Sequence, residues 1–205
     1  MMSSKTVKII FLFSMGLLAI EGLYGQEVIP SLEEINQTRL RLNRTNMYVL
    51  GGWALGNMAV GGILRARTEG PTRYFHEMNA IWNCVNLGLA AGALIGMGNE
   101  DLSSYDLWQT FAEQQKLEKI LLFNMALNFT YMTAGGYLIE RSRRGEPRAD
   151  LFLGYGRSLV LQGGFLFLFD LTQYLVHHQS NHGRLEQILS SIQLSQQGLG
   201  LMWVF

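Results

Sequence analysis

The chain has 205 residues, no formal net charge, 16% charged residues and 48% apolar residues. Soluble globular domains carry about 25% charged residues, so this deficit favours a membrane protein although the mean hydropathy is only +0.12. The neutral charge gives no reason to expect nucleic acid as a partner. The single cysteine, Cys84, excludes an intrachain disulfide and a metal site built from several thiolates.

The first 25 residues have the features of an export signal. Lys5 and Lys8 precede an apolar run at residues 9–20, which is too short to cross a bilayer but suits the core of a signal peptide. Gly25 offers a small residue for cleavage, although the neighbouring Leu23 and Tyr24 are bulky. We therefore predict a signal peptide at residues 1–25, with an uncleaved signal anchor as the alternative.

Four long apolar stretches follow, at residues 47–64, 78–98, 120–139 and 158–176. The first three contain no Asp, Glu, Lys or Arg, and the fourth contains only Asp170. Each has about the length that a helix needs to cross a hydrocarbon core of about 30 Å. We therefore predict an all-α membrane protein, with a four-transmembrane-helix bundle at residues 47–183. Amphipathic periplasmic segments are predicted at residues 26–46 and 184–205.

Three amphipathic helices are expected beside the bundle. Ser31 and Glu34 form a candidate capping box for the first, and Ser104 is a candidate cap for a helix that leads into the third apolar stretch. Residues 184–196 place several apolar side chains on one face of a third helix, beginning with Leu185. Such helices lie at the membrane interface or dock on the bundle.

The charges between the apolar stretches orient the predicted bundle. The two loops assigned to the inner side carry eight arginines, and the loop assigned to the outer side carries two lysines: Arg65, Arg67, Arg73, Arg141, Arg143, Arg144, Arg148 and Arg157, against Lys116 and Lys119. Cytoplasmic loops are the ones enriched in Lys and Arg. We expect a multi-pass protein of the bacterial inner (cytoplasmic) membrane with both mature termini in the periplasm.

Glycines recur at four-residue spacing in the first two stretches. The candidate helix-packing residues are Gly52, Gly56, Gly88, Gly92 and Gly96. Small residues at this spacing let helices approach closely in lipid, either within the bundle or between two copies of the chain. The glycine pairs at residues 135–136 and 163–164 are further candidates for such packing. The alternative is the ordinary glycine enrichment of membrane helices, and we favour a packing face only for the second stretch.

Polar side chains lie on one face of each predicted membrane helix. Counting the rise from the inner ends predicts two layers. The inner layer contains Asn57, Asn83, Asn86, Tyr131 and Gln162, and the outer layer contains Asn124, Asn128, Asp170 and Gln173. Amides can serve as interhelical hydrogen-bonding groups or line a ligand pocket, and we favour the structural role for the asparagines.

Asp170 raises the functional alternative. A carboxylate near the centre of a bilayer costs roughly 2.5–3.5 kcal/mol and is by default a candidate functional residue. The structural alternative is a protonated acid that bonds Asn124 or Asn128, and both interpretations stay open.

We expect no cofactor, no catalytic motif and no metal site. His178 and His182 have the spacing of two metal ligands on a helix, but Ser180, Asn181 and Gly183 favour a helix end there, so the pair is a weak candidate.

The first two apolar stretches carry a recognisable pattern of residues. The segment from Met47 to Asn57, which reads MYVLGGWALGN, is followed by Tyr74, His76 and Asn79, and then by the WNCVN segment that starts at Trp82. This pattern resembles a family of small bacterial membrane proteins of unknown function, from about residue 40 to the end of the chain. The resemblance implies a bacterial protein with four membrane helices, and it implies no activity and no functional residues.

Three functions are compatible with these sequence features. The first, which we favour, is a non-enzymatic protein that packs against or assembles membrane components, with lipid, a second copy or other membrane proteins as partners. The second is a small oligomeric carrier or channel with a polar site around Asp170. The third is a quinone-binding or intramembrane enzyme subunit, for which the sequence supplies no second catalytic group.

Overall fold

The computed structural model describes residues 31–145 and 147–190, and all regular structure in that part of the chain is helical. Four long helices dominate: α1 (Leu32–Arg65), α2 (Gly70–Gly98), α3 (Leu107–Ser142) and α4 (Ala149–His177). A short 3₁₀ turn, Leu102–Ser104, precedes α3. A π-helical turn, His178–His182, joins α4 to the short helix α5 (Gly183–Ser190). The predicted all-α class is confirmed.

Local signals in the sequence account for the helix boundaries. Ser31 caps α1 in a capping box with Glu34, as predicted. Asp106 caps α3 in a second capping box, so the prediction that Ser104 is the cap is wrong. Ser104 lies in the 3₁₀ turn, two residues too early. Gly70 and Gly145 have positive φ angles in the two tight connections α1–α2 and α3–α4.

Successive helices along the chain run in opposite directions, and the four form the row α1–α2–α4–α3. α1 packs on α2, α2 packs on α4 and α4 packs on α3, so α2 and α4 lie in the middle of the row. α1 and α3 meet where both begin, through the hydrogen bond from Asn36 Nδ2 to Thr110 Oγ1 at 2.7 Å. The N-termini of α1 and α3 therefore share one end of the molecule with the C-terminus of α4. We call this the outer end, after the predicted orientation.

The interior and the exterior have the opposite polarity to those of a soluble protein. The largest completely buried side chains are mostly polar: His177, Gln114, Gln162, Asn36, Asn83, Asn181, Thr110 and Ser158. The exposed surface carries many large apolar side chains, including Leu55, Val85, Leu89, Ile95 and Phe129, each more than half exposed. Large exposed apolar surfaces mark contact with lipid or with another protein.

Three of the helices are long and apolar enough to cross a membrane: Leu32–Arg65, Gly70–Gly98 and a segment that runs through the π turn, Ala149–Leu185. α3 has 36 residues and is long enough, but it is less apolar. Asn124, Asn128, Thr130 and Thr133 lie within its predicted membrane segment and lower its hydropathy. Length and composition thus support three of the four predicted membrane helices.

The predicted amphipathic segments are extensions of longer helices. Residues 32–46 belong to α1, and residues 107–119 belong to α3, so neither forms a separate helix on the membrane. α5 does form, and its Leu185 and Ile188 pack on Ile35 of α1, with Leu32, Leu107 and Phe111 around them. These six residues form an apolar cap at the outer end. The predicted signal peptide and residues 191–205 lie outside the described residues.

Candidate functional site

Close packing of α3 on α4 and of α1 on α2 positions the polar groups. A Cβ added to Gly135 of α3 would lie 2.7 Å from the carbonyl oxygen of Gly156 in α4, and one added to Gly156 would lie 2.6 Å from that of Gly135. A Cβ added to Gly163 would lie similarly close to Asn128 and Met132 of α3. One added to Gly61 of α1 would lie similarly close to the carbonyl oxygen of His76. Only glycine fits such contacts, because a Cβ there would overlap the facing backbone.

The candidate packing glycines of the first two apolar stretches lie elsewhere. Gly52, Gly56, Gly88, Gly92 and Gly96 are exposed, and a Cβ on any of them would meet nothing within 4 Å among the described residues. None of them therefore packs against another helix in the part of the chain that the structure describes. A face between two copies of the chain stays a prediction for these residues.

An inner amide network joins α1, α2 and α4. Asn57, Asn79 and Gln162 form a chain in which Asn79 Nδ2 donates to Asn57 Oδ1 at 2.9 Å and Gln162 Nε2 donates to Asn79 Oδ1. Trp53 Nε1 donates to Gln162 Oε1 at 3.2 Å, and the Trp53 ring stacks on Phe165 with ring centroids 3.7 Å apart. Four side chains from three helices thus satisfy one another in a single network.

Asn83 and Asn86 extend the polar face of α2. Asn83 Nδ2 donates to the carbonyl oxygen of Asn79 at 2.7 Å, and Asn86 Nδ2 donates to Asn83 Oδ1 at 3.3 Å. The structure therefore brings together the four predicted inner-layer amides, and it adds Trp53 and Asn79 to them. Tyr131, the fifth predicted member, packs its ring edge-on against Trp82 instead. The sequence did not predict a role for Trp53, because an aromatic residue within an apolar stretch does not stand out as a polar group.

Asp170 lies in the seam between α3 and α4. Asn128 Nδ2 donates to Asp170 Oδ2 at 2.7 Å, and both side chains are buried. Gln173 is also buried, one turn further along α4. Asn124 is only half-buried, one turn from Asn128. The predicted outer layer is therefore centred on the pair Asn128 and Asp170.

A second polar region, at the outer end, was not predicted. We call it the outer polar cluster, and its members are Asn36, Arg39, Glu100, Thr110, Gln114, Glu118, His177 and Asn181. Gln114 of α3 is its hub. Gln114 Nε2 donates to Glu118 Oε1 at 2.8 Å and to the carbonyl oxygen of His177 at 3.3 Å, and Gln114 Oε1 accepts from Asn181 Nδ2 at 3.0 Å.

Charged groups surround this hub. Arg39 Nη2 donates to Glu100 Oε1 at 2.5 Å, and the hydroxyl of Tyr105 donates to the same oxygen at 3.1 Å. Burial, and then the Glu100 carboxylate that accepts its hydrogen bond, raise the pKa of Tyr105 above its usual value of 10. Arg39 and Glu118 both lie within electrostatic reach of the His177 ring.

The sequence did contain a signal for this cluster. Thr110, Gln114 and Glu118 follow one another at i, i+4 on α3, and Gln173, His177 and Asn181 do so on α4 and the turn after it. Polar side chains at helical spacing on two neighbouring helices indicate a polar interface. The signal was missed because these residues lie at the ends of the apolar stretches, where polar residues are ordinary.

The histidines do not form a metal site in the described part of the chain. No group of three His, Cys, Asp or Glu side chains suitable for a metal ion occurs there. His178 Nδ1 lies 3.6 Å from Glu118 Oε2, while the side chain of His182 lies outside the described residues. The helix does not end at Ser180 as the sequence suggested, because the π turn carries it on into α5.

One family model matches residues 49–171, which is more than half of the chain. The chain belongs to this family of unknown function, DUF6992. The resemblance to a family of unknown function, noted from the first two apolar stretches, is thereby confirmed. The family match contains the whole inner amide network and Asp170, but it leaves out Asn36, Arg39, His177 and Asn181 of the outer polar cluster. No curated protein and no solved structure matches the chain.

Proposed function

We propose that this DUF6992 member is a four-span protein of the bacterial inner membrane, with both mature termini in the periplasm, and that it acts by associating with other membrane proteins or with itself. The observation that carries this proposal is the closed inner amide network. Its side chains bond one another across three helices, which leaves the apolar exterior as the surface through which the protein acts.

Contacts along the whole seam support a fourth membrane helix. Gln114 bonds the carbonyl oxygen of His177 at one end of the α3–α4 seam, and Gly135 meets Gly156 at the other. The two contacts are 21 residues apart on each helix, or about 31 Å of helix length. α3 therefore lies beside α4 over about the thickness of a bilayer core, so if α4 crosses, α3 crosses with it.

The polar residues of α3 are compatible with this depth. Asn128 bonds Asp170 in the buried seam. Thr130 and Thr133 are exposed, but their hydroxyls donate to the carbonyl oxygens of Ala126 and Phe129 on the preceding turn, at 2.9 and 3.0 Å. Their polar atoms are thus satisfied without water, as lipid requires.

The topology can be tested by cysteine labelling in intact cells. Single cysteines replace Asp101 in the predicted outer loop or Arg144 in the predicted inner loop, in a Cys84→Ser background. We expect a membrane-impermeant maleimide to label the first and not the second. Equal labelling of both, or the reverse pattern, would contradict the proposed orientation.

The association can be tested by native mass spectrometry of the protein extracted from its own membrane in mild detergent. We expect a homo-oligomer or a second polypeptide in fixed stoichiometry. Gly92→Ile, on the exposed glycine face of α2, should reduce that association. Gly136→Ile is the matched control, because Gly136 is an exposed glycine of α3 with nothing within 4 Å of an added Cβ. A protein that is monomeric and without partners would refute the proposal.

A second candidate is a small oligomeric carrier or channel with a polar site at Asp170. The buried bond between Asn128 and Asp170 favours it, since a carboxyl group at this depth is costly and is a candidate functional residue. Asp170→Asn keeps the size and hydrogen-bonding capacity of the side chain. If Asp170 is structural, this variant keeps its thermal stability and its partners. Retained folding with loss of a proton-dependent transport signal in proteoliposomes would favour the carrier.

A further inference from the structure

Five buried polar atoms of the outer polar cluster have no hydrogen-bond partner among the described residues. They are Asn36 Oδ1, Arg39 Nε, His177 Nδ1, His177 Nε2 and Asn181 Oδ1. The side chains of Asn36, His177 and Asn181 are completely buried, and that of Arg39 is 7% exposed. Buried polar atoms in proteins nearly always bond protein or ordered water, so a concentration of unpaired atoms indicates an additional bound species.

The chemistry of the five atoms defines that species. Arg39 Nε is a donor only, and the oxygens of Asn36 and Asn181 are acceptors only. A neutral His177 ring adds one donor and one acceptor. The bound species must therefore both donate and accept hydrogen bonds. An inorganic anion without a proton cannot donate to the asparagine oxygens, and a metal cation cannot accept from Arg39, whereas water can do both.

The location allows water to enter. Arg39 lies eight residues before the first apolar stretch, Gln114 lies six residues before the third, and His177 follows the fourth directly. At 1.5 Å per residue, Arg39 and Gln114 are roughly 10 Å beyond the apolar stretches. The cluster thus belongs to the helix extensions at the outer end, where an aqueous phase is within reach.

A π-helical turn lies at this end of the molecule, within the outer polar cluster. The π-helical turn His178–His182 follows α4 immediately, and both His177 and Asn181 remain completely buried across it. π-helical turns within helices often occur at functional sites. The apolar cap formed by Ile35, Leu185, Ile188 and their neighbours packs at the same end.

We propose that the outer polar cluster is an internal water-binding site, in which ordered water molecules link Arg39 of α1 to His177 of α4 and to Asn36 and Asn181. The inner amide network needs no water, because its side chains bond one another. The site therefore brings water to the outer end of α4, two turns from Asp170. The proposal does not depend on the association proposed above, since it concerns the interior of a single chain.

Water-edited solid-state NMR of the ¹⁵N-histidine-labelled full chain in lipid vesicles tests the proposal. We expect fast magnetisation transfer from water to the ring nitrogens of His177, whose signals are assigned by their loss in His177→Gln. Asn181→Leu should slow this transfer several-fold, because it removes a water acceptor and fills space. Asn36→Leu serves the same purpose if Asn181→Leu fails to fold. Asn99→Leu is the control, because Asn99 is exposed at the same end and bonds only its own helix in the described structure.

Two results would overturn the proposal. One is a dry His177 ring, with no water transfer and with its nitrogens bonded to other protein groups, including groups of residues 191–205. The other is a bound molecule other than water in the cluster, which would be detected by native mass spectrometry of the same preparation. Transfer that is fast in wild type, slow in Asn181→Leu and unchanged in Asn99→Leu supports the water site.

Discussion

The inner amide network and the outer polar cluster are both buried and polar, but they satisfy their hydrogen bonds differently. In the inner network, Trp53, Asn57, Asn79 and Gln162 bond one another and carry no charge. In the outer cluster, charged groups are present and several buried atoms have no partner in the described residues. The same fold therefore contains a closed polar region, whose side chains bond one another, and an open one, in which buried polar atoms have no partner among the described residues.

The membrane topology proposed above accounts for this difference. Hydrocarbon offers no hydrogen-bond partner, so polar groups inside it must satisfy one another within the protein. The outer cluster belongs to helix extensions beyond the apolar stretches, where water can complete its hydrogen bonds. A closed network stabilises the helix bundle, whereas an open cluster can exchange the water molecules proposed to bind there. The following predictions test this distinction.

The largest effect is expected where the backbones of α3 and α4 touch. Gly135→Ala should destabilise the protein by about 3 kcal/mol, because the added Cβ would lie 2.7 Å from the carbonyl oxygen of Gly156. Gly136→Ala is the matched control on the neighbouring residue, where a Cβ meets nothing within 4 Å. It should be neutral or stabilising by up to about 1 kcal/mol, since alanine favours helix. Unfolding in detergent measures both, and equal effects would refute the close packing of α3 on α4.

An intermediate effect is expected when the inner network is opened. Gln162→Leu should cost about 2 kcal/mol, because it leaves the Trp53 and Asn79 side chains without their partner in a dry interior. Thr133→Ala should cost less than about 0.5 kcal/mol, since Thr133 is exposed and bonds only its own helix in the described structure. A Gln162→Leu protein as stable as wild type would mean that water or lipid replaces the lost bonds, and the network would not be closed.

The smallest effect is expected at the water-exposed rim of the outer cluster. Tyr105→Phe removes one hydrogen bond to Glu100 from a half-buried side chain and should cost roughly 0.5–1 kcal/mol. Because the pKa of Tyr105 is raised in the folded protein, its contribution is complete below about pH 10 and is lost as the pH rises through the folded pKa. The difference between the absorbance titrations of wild type and variant should have its midpoint above pH 10. A midpoint at or below 10 would contradict the environment described for Tyr105.

The sequence predicted the helical class, the family resemblance, the capping box at Ser31 and the inner-layer residues that the structure brings together. These features are local, because apolar length, capping and helical spacing can be counted along one chain. The sequence offered Gly135 and Gly163 as candidates for helix packing, but it did not predict that they, rather than the favoured glycines of the second stretch, touch another helix. Gly88, Gly92 and Gly96 have the more regular spacing, but Gly135 and Gly156 make the close contact, because contact depends on which helix lies opposite.

Tertiary structure alone decided where the second polar region lies. Arg39, Gln114 and His177 are far apart in the sequence, and each looks ordinary at the end of an apolar stretch. They meet because α1, α3 and α4 extend beyond the apolar stretches at the same end of the bundle. By itself the sequence determined that the chain is helical and buries polar groups among apolar stretches. Only the packing of the helices decided which polar groups satisfy one another, because hydrogen bonds between helices depend on the register and neighbours of each helix.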